Sequence, residues 1–380
     1  MSIKVVLNQV SDYTPERLKT VIQDQLEALG GISRFVKPGQ TVLIKPNMLA
    51  GKAPEKAVTT HPEIVRVVIE EAQKAGGKVL VGDSPGIGKS EQVVRKCGIM
   101  KVIEETGATF TPFTESVTVP GREGIFQHLE IAREVLDADV IINLPKLKTH
   151  QMMGLTCGIK NMFGAVVGMR KIRLHLQAGT NKEFFATMLL ELAEFLNPAL
   201  TLVDGITAME GDGPGSGDPI HVGTVFSSTS MQAVDTVASD LLKLPTKEVW
   251  TQKVALHSDR AGSRMEDIEL IGDPIETLRP PRFKPAKSTD VNFSLPSFLK
   301  NPLKKSLTAR PEPDRDSCIL CGECVRSCPP QAMQIENKKL MIDFDRCIRC
   351  FCCQELCPHG ALETKQGVLL KVARFFDGNN

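Results

Sequence analysis

The chain has 380 residues, of which 42% are hydrophobic, and its 46 lysines and arginines are balanced by 45 aspartates and glutamates. This length allows two or three domains, and the apolar content excludes a disordered chain. The small net charge of +1 argues against a dedicated nucleic-acid binder, which normally carries a strong basic excess, so we expect no nucleic-acid partner. Of the 11 cysteines, nine lie between Cys318 and Cys357.

The first 280 residues alternate short apolar runs with amphipathic stretches. Strands are predicted at Lys4–Leu7, Thr41–Lys45, Lys78–Val81, Val140–Asn143, Leu200–Val203 and Val222–Phe226. Helices are predicted at Pro15–Leu29, His61–Ala75, Lys182–Leu196 and Met231–Leu242. Because strands and helices alternate, residues 1–280 are expected to form an α/β domain with a mainly parallel sheet, whose activity the pattern leaves undefined.

Residues 281–314 have a different composition, rich in proline, serine and lysine. Between Pro281 and Arg310 there are seven basic residues and one acidic residue, Asp290. One interpretation is a solvated linker. The alternative is a basic strip that docks on an acidic redox partner or a membrane surface, with an apolar face made by Phe293, Leu295, Phe298 and Leu299.

The sequence contains no run near the ~20 apolar residues that span a bilayer, and its first residues do not resemble a signal peptide. We therefore expect no transmembrane segment and a cytoplasmic location, where the environment is reducing and cysteines seldom form stable disulfides. The crowded cysteines are then metal ligands, catalytic groups or free thiols.

The cysteines form an internal repeat in residues 315–365, ahead of a tail at 366–380. Cys318, Cys321, Cys324, Cys328 and Pro329 recur 29 positions later as Cys347, Cys350, Cys353, Cys357 and Pro358. Both halves have the C-x2-C-x2-C-x3-C-P spacing of a bacterial two-cluster 4Fe-4S ferredoxin, a small α+β domain. In this run the fourth cysteine binds the other cluster, so two 4Fe-4S clusters are expected. The first takes Cys318, Cys321, Cys324 and Cys357, and the second takes Cys347, Cys350, Cys353 and Cys328.

Zinc is the alternative ligand of such a cluster of cysteines, but zinc sites usually pair C-x2-C knuckles across a longer loop. Cys97, Cys157 and Cys352 are left over. All three are expected to be buried apolar side chains, although Cys352 could also exchange with Cys353 when the cluster is damaged.

Polar side chains follow the predicted strands of the large domain at their carboxyl ends, where open parallel sheets bind ligands. If the strands are neighbours, the side chains meet at one rim: Lys45, Asn47, Asp83, Ser84, Asn143, Lys146, Lys148, His150 and Asp204. Lysines at such a rim suit a small anionic ligand, with His150, Lys146 and Lys148 as candidate catalytic residues. For a single lysine or histidine, a solvated surface position is the alternative. Neither glycine-rich segment, Gly154–Gly168 or Gly211–Pro219, has a nucleotide-binding spacing.

Three segments of the large domain resemble the domain-of-unknown-function family 362. They are Asn143–His150 (NLPKLKTH), Gly158–Gly164 (GIKNMFG) and Val203–Gly211 (VDGITAMEG). Some members of this family carry a C-terminal ferredoxin domain. The resemblance implies the same domain layout in an iron–sulfur protein and a shared site around Lys146, Lys148, His150, Lys160 and Asn161, and it supplies no substrate.

Three functions remain open from the sequence. The first is an electron-transfer protein that delivers single electrons to a site or partner at the large domain, with a redox partner protein. The second is a ferredoxin-linked oxidoreductase that reduces a small anion at the rim of lysines, His150 and aspartates. The third is a binding or metallocentre-maturation protein with no turnover of its own.

Overall fold

A computed structural model gives the structure of the protein and describes residues 2–86, 88–121, 124–168, 170–287 and 309–367. Most of the predicted basic strip, including Phe293, Leu295, Phe298 and Leu299, lies outside the described residues, as does the tail beyond residue 367. Among the helices that are described, none is both long and apolar enough to cross a membrane.

The strands of the large domain are β1 (Ile3–Gln9), β2 (Thr41–Pro46), β3 (Lys78–Val81), β4 (Thr109–Phe110), β5 (Ser116–Pro120), β6 (His128–Ala132), β7 (Val140–Leu144), β8 (Lys146–His150), β9 (Gly154–Thr156), β10 (Leu200–Glu210), β11 (Asp218–Ser228) and β12 (Ile268–Gly272). Its helices are α1 (Pro15–Ala28), α2 (Ile32–Phe35), α3 (Pro62–Lys74), α4 (Ser90–Lys96), α5 (Ile99–Thr106), α6 (Arg133–Leu136), α7 (Gly158–Asn161), α8 (Arg170–Ala178), α9 (Lys182–Leu196), α10 (Met231–Leu241), α11 (Trp250–His257) and α12 (Ile275–Leu278). Single 3₁₀ turns lie at Pro54–Lys56, Met162–Ala165, Thr246–Glu248 and Met265–Asp267.

One large sheet organises this domain in the order β12-β1-β11-β10-β7-β2-β3-β4, with β8 added beside β10 and β9 beside β8. The strands from β10 to β4 run parallel to their neighbours, while β11 is antiparallel to both β1 and β10. The predicted fold class, α/β with a mainly parallel sheet, is therefore confirmed, and the six predicted strands and four predicted helices are all present.

Helices cover both faces of the sheet, as the apolar runs of the strands require. Val42 and Ile44 of β2 pack on one face against α1, α3, α4 and α5. Leu43, between them in sequence, points to the other face and packs with α7 and α9. This alternation is the two-residue period of a strand, and it buries β2 in the centre of the domain.

Strand β8 extends the sheet beyond the carboxyl ends of β2 and β3. β7 pairs with the start of β10, at Leu200 and Thr201, and the chain then passes Pro145. It resumes as β8 beside the second half of β10, where Lys146 faces Asp204 and Lys148 faces Met209. Because proline has no N–H to continue the ladder, the chain changes course there. The shift places β8 at the edge where a parallel sheet binds its ligands.

The cysteine-rich unit consists of two antiparallel pairs of strands and two short helices. Its strands are β13 (Ala309–Pro313), β14 (Met333–Glu336), β15 (Lys339–Ile342) and β16 (Leu362–Gln366), and its helices are α13 (Glu323–Arg326) and α14 (Cys352–Glu355). β13 pairs with β16, and β14 with β15. β13 lies within the range predicted as linker, since its alternating prolines masked the strand pattern.

This unit packs directly on the large domain. Leu356 and Cys352 belong to the same apolar core as Leu43, Phe163 and Met231. The ammonium group of Lys52 donates to the Pro358 carbonyl oxygen across the junction. The carboxyl edge of the sheet is thus covered by α14, and the candidate site lies between the two.

Candidate functional site

The sequence of β8 places its polar side chains on one face. Lys146, Lys148 and His150 are two residues apart, whereas Leu147 points to the opposite face and packs in the apolar core. The three polar side chains are only 1%, 1% and 2% exposed. Buried lysines and histidines on one strand face are uncommon, so the partners of each decide what it does.

Lys146 is engaged in a closed network on the side of β10. Its ammonium lies 2.8 Å from Asp204 Oδ2 and donates to the Tyr13 hydroxyl oxygen at 3.0 Å. The Tyr13 hydroxyl donates to Asp204 Oδ1 at 2.8 Å, and the backbone N–H of His61 donates to Asp204 Oδ2. Each donor and acceptor in this network has a partner, so Lys146 and Asp204 join strands and loops rather than face a ligand.

Lys45 and Asp83 form a second buried pair, 2.8 Å apart, at the ends of β2 and β3. Asp83 also accepts from the backbone N–H groups of Met48 and Ser84. A Cβ at Gly164 would overlap the Asp83 carboxylate and stand 2.6 Å from Lys45 Nζ, which explains the glycine in the GIKNMFG segment. Burial lowers the pKa of Lys45, and the charge of Asp83 opposes that shift.

A chain of amides links three segments that the sequence predicted to converge. Asn161 Nδ2 donates to Asn143 Oδ1, and Asn47 Nδ2 donates to Asn161 Oδ1, both at 2.8 Å. Lys148 Nζ in turn donates to Asn47 Oδ1 at 2.9 Å and to the Val58 carbonyl oxygen at 2.7 Å. The amides therefore fix the position of the Lys148 ammonium.

A cavity of about 510 Å³ lies between this rim and the cysteine-rich unit. From the large domain it is lined by Lys148, His150, Lys160, Lys171 and His175. From the other side it is lined by Cys352, Glu355 and Leu356 of α14 and the turn after it. Apolar walls come from Leu49, Phe163 and Ile172. This size and mixed lining are typical of small-molecule sites.

The lysines of the cavity are held by uncharged groups. Lys171 Nζ donates to the carbonyl oxygens of Ser84 and Pro85, and Lys160 Nζ lies 4.8 Å from the centre of the Phe163 ring. Burial lowers the pKa of Lys148 to about 7 and that of Lys171 to about 7, and it also lowers the pKa of Lys160. A bound anion would restore the protonated state of all three.

His150 presents a proton to the cavity. Its Nδ1 accepts from the backbone N–H groups of Met152 and Met153, at 3.1 and 3.2 Å, so the ring proton is on Nε2. Nε2 has no hydrogen-bond partner among the described residues and lies 3.7 Å from Glu355 Oε2. Burial lowers the pKa of His150, and the charge of Lys160 lowers it further, which keeps the ring neutral.

The cysteine-rich unit contains two small cavities, each surrounded by four cysteines. Cys318, Cys321, Cys324 and Cys357 line one, and Cys328, Cys347, Cys350 and Cys353 line the other. Within the described ranges, no three or more His, Cys, Asp or Glu side chains converge to hold a single metal ion. Four thiols around a cavity fit a 4Fe-4S cluster, which takes one thiolate on each iron.

The structure thus divides the predicted rim into two groups. The first group lines the cavity and consists of Asn47, Asp83, Ser84, Lys148, His150, Lys160 and Asn161, whereas Lys45, Asn143, Lys146 and Asp204 lie behind it. Lys171 and His175 were not predicted from the sequence, because they lie on α8 and follow no strand. Glu355 was not predicted either, since its role depends on how the cysteine-rich unit packs. Cys352 is buried, as predicted, and it also lines the cavity.

Comparison with protein families identifies both parts of the chain. A model of the domain of unknown function DUF362 matches residues 42–240, and a model of the 4Fe-4S dicluster domain matches residues 317–361. The thylakoid-associated protein sll1697 of Synechocystis sp. (strain ATCC 27184 / PCC 6803 / Kazusa) is 36% identical over 303 residues, which are 79% of this chain and 93% of that protein.

Solved structures give more distant similarity. Lactate racemase apoprotein from Thermoanaerobacterium thermosaccharolyticum has a TM-score of 0.41 at 12% identity, over 64% of this chain and 57% of that one. A protein from Thermotoga maritima has a TM-score of 0.31 at 14% identity, over 53% and 52% of the two chains. The match spans little more than half the length of either structure. The family models and the Synechocystis relative show that the chain is an iron–sulfur protein, a member of the DUF362 family that carries a 4Fe-4S dicluster ferredoxin domain.

Proposed function

We propose that this protein is an electron-transfer protein that delivers single electrons to a small anion bound between its two domains, and so acts as a ferredoxin-linked oxidoreductase. One observation carries the proposal. Cys352 and Glu355 of the ferredoxin domain line the same cavity as Lys148 and Lys160 of the α/β domain. A ferredoxin alone needs no such cavity, and an anion-binding domain alone needs no cluster beside it.

The cysteines that line the two small cavities are the proposed ligands. Cys318, Cys321, Cys324 and Cys357 would hold one 4Fe-4S cluster, and Cys347, Cys350, Cys353 and Cys328 the other. When bound, the clusters supply electrons one at a time. Cys350 and Cys353 flank Cys352, which lines the shared cavity, so the second ligand set is the one next to the proposed anion site.

The residues of the α/β domain would bind and orient the anion. The ammonium groups of Lys148, Lys160 and Lys171 provide its positive surroundings, and the buried positions of Lys148 and Lys160 strengthen the attraction. His150 holds a proton at Nε2, oriented by the backbone N–H groups on Nδ1, and would donate a hydrogen bond from Nε2 to the anion. Leu49, Phe163 and Leu356 exclude water from the apolar part of the cavity.

The proposed reaction is balanced by an external electron donor. A two-electron reduction of the anion takes up two protons and oxidises two equivalents of a one-electron carrier, the redox partner protein. The neutral ring of His150 would donate a hydrogen bond from Nε2, and Lys148 and Lys171, whose pKa values burial lowers to about 7, are placed to give one proton each. Both groups would be reprotonated from solvent after the product leaves.

Reoxidation of the reduced protein tests the proposal. The full chain, purified without oxygen and reduced with dithionite, is mixed with fumarate, oxaloacetate or dihydroxyacetone phosphate, and the return of cluster absorbance is followed. We expect one of these anions to reoxidise the protein. Lys148→Met should slow that step about tenfold at unchanged iron content, because it removes one charged hydrogen bond.

The control is Lys101→Ala, which removes a lysine whose side chain is 79% exposed on α5, away from the cavity. It should behave as the unmodified protein does. If the Lys148→Met protein were reoxidised as fast as the unmodified protein, electrons would have to leave by another route, and the cavity would not be their destination.

A further inference from the structure

Five lysines near the sheet edge, of which Lys45, Lys146, Lys148 and Lys160 are buried and Lys171 is partly buried, differ in what neutralises their charge. Lys45 and Lys146 each pair with an aspartate at 2.8 Å. The other three, Lys148, Lys160 and Lys171, make their closest contacts with amide and carbonyl oxygens or with an aromatic ring. Only these three line the cavity. The protein therefore compensates the lysines behind the cavity and leaves those that face it uncompensated.

The acidic side chains of the cavity do not remove this excess. Asp83 is already paired with Lys45, and Glu323 lies 2.6 Å from Arg326, which lines the cavity with it. Glu355 is the remaining carboxylate among the described lining residues. When a bound anion holds all three lysines in their protonated form, three ammonium groups face one carboxylate, which leaves an excess of two positive charges.

Three side chains that line the cavity carry buried polar atoms without partners. His150 Nε2, Thr156 Oγ1 and His175 Nδ1 have no hydrogen-bond partner in the described part of the chain. The three side chains are at most 3% exposed, and all three line the cavity. Buried polar groups in folded proteins are nearly always hydrogen-bonded, so these atoms indicate a ligand with oxygens to accept from them.

We propose that the ligand of this cavity is a small dianion, either a dicarboxylate or a phosphate monoester, with its two negative charges matched to the lysine excess. The inference rests on the proposed function, since it takes this cavity as the place where the anion binds. Leu49, Phe163 and Ile172 leave room for an apolar body between the charged groups. The volume of about 510 Å³ suits a ligand of this size.

The positions of the lysines define where the charges of the ligand lie. Lys148 is anchored on the segment after β2, at Asn47 and Val58, and Lys171 on the segment after β3, at Ser84 and Pro85. Lys160 lines the same cavity, with its ammonium 4.8 Å from the centre of the Phe163 ring. A dicarboxylate would place one carboxylate near each anchor, whereas a phosphate monoester would place its charges together near Lys160.

Titration calorimetry on the full-length protein with its iron intact and oxidised, under anaerobic conditions, distinguishes these ligands. The probes are succinate, inorganic phosphate at pH 8, and acetate. We expect succinate or phosphate to bind at least about tenfold more tightly than acetate, because each added charge gains a charged hydrogen bond. Succinate as the tighter of the two indicates a dicarboxylate, and phosphate indicates a phosphate monoester.

Lysine substitutions test whether the dianion binds in this cavity. Lys160→Met should weaken the preferred dianion about tenfold and acetate less, while Lys101→Ala should change neither. Lys171→Met serves as the second variant if Lys160→Met loses iron or secondary structure. The reduction potential of each variant is measured in parallel by EPR-monitored titration.

Three results would overturn the inference: equal binding of acetate and the dianions, no binding of any probe, or lysine variants that shift the cluster potential without changing affinity. The last result would mean that the lysines serve only to offset the negative charge of the cluster. Failure of the proposed function is separate. Tight dianion binding with no reoxidation of the reduced protein by any anion would reject electron delivery and leave the dianion site in place.

Discussion

His150 Nε2 of the α/β domain lies 3.7 Å from Glu355 Oε2 of the ferredoxin domain. Both side chains are shielded from solvent, with exposed fractions of 2% and 15%. Burial alone would raise the pKa of Glu355, but His150 and the charge of Lys160 hold that pKa well below its ordinary value. A charged carboxylate from one domain therefore lies in the cavity lined by the lysines of the other.

Replacing Glu355 with glutamine should tighten anion binding. The substitution keeps the shape of the side chain and removes the one carboxylate that offsets the three cavity lysines. We expect the affinity for succinate, measured by calorimetry, to rise about tenfold, since a neighbouring like charge in a buried site contributes on the order of 1–2 kcal/mol. Glu363→Gln, on the exposed side of β16, is the matched control. An unchanged or weaker affinity would mean that Glu355 does not compete with the ligand.

Anion binding should weaken as the pH rises through 7. Burial lowers the pKa of Lys148 and of Lys171 to about 7 from the ordinary 10.5, so both lose their proton above neutral pH. Succinate remains a dianion from pH 6.5 to 9, and its affinity should fall by up to about tenfold per pH unit for each lysine that must take up a proton. Lys148→Met should make this dependence shallower. Calorimetry at several pH values would measure both slopes, and a flat profile would contradict the assignment.

The lowered pKa values of Lys148 and Lys171 should make the ligand-free protein more stable as the pH rises, whereas they make anion binding weaker. The unfolded chain keeps its lysine protons up to about pH 10.5, whereas the folded protein releases those of Lys148 and Lys171 above about 7. The unfolded state binds more protons in this window, so the free energy of unfolding should rise with pH there. Anaerobic urea titrations at pH 7.5 and 9 would measure the difference, and added succinate should reduce it.

Tyr13 should matter for stability and not for anion binding. Its hydroxyl joins Asp204, Lys146 and the backbone N–H of Thr207 in the network behind the cavity. Tyr13→Phe leaves these buried groups one partner short, which should lower the free energy of unfolding by about 1–3 kcal/mol. Urea unfolding would measure the loss. The affinity for succinate should stay the same, and a large decrease in it would place Lys146 and Asp204 in the ligand site after all.

Lys146 and Lys148 show how far the sequence could predict the site. Both follow a predicted parallel strand, and the rule that ligands bind at carboxyl ends singled them out together. Their different roles depend on Asp204, which is 58 residues from Lys146 in sequence and beside it in β10. Strand order and register decide such a pairing, and an alternating pattern of polar and apolar residues contains neither.

The cavity side chains on α8 and α14 could not be predicted from the sequence. Lys171 and His175 lie on a helix with ordinary polar and apolar spacing, and Glu355 lies between two cysteines of the ferredoxin repeat. Their functions come from the contact between domains, which depends on packing of residues such as Leu356 far along the chain. The cysteine spacing, by contrast, is a local pattern set by cluster geometry, so it was readable from the sequence.

Cys350 and Cys352 line two different cavities and should differ in their effect on iron content. Cys350 lines the four-cysteine cavity with Cys328, Cys347 and Cys353, whereas Cys352 lines the anion cavity. Cys350→Ala removes a proposed thiolate ligand and should reduce the iron of the anaerobically purified protein from about eight to about four per chain, because one of two four-iron clusters is lost. Cys352→Ala should keep all of the iron, since its thiol belongs to neither set of four. Iron and sulfide counts with EPR of the reduced protein would measure both. Loss of a cluster in Cys352→Ala, with iron retained in Cys350→Ala, would show that Cys352 takes the place of its neighbour as a ligand and that the second ligand set must be redrawn.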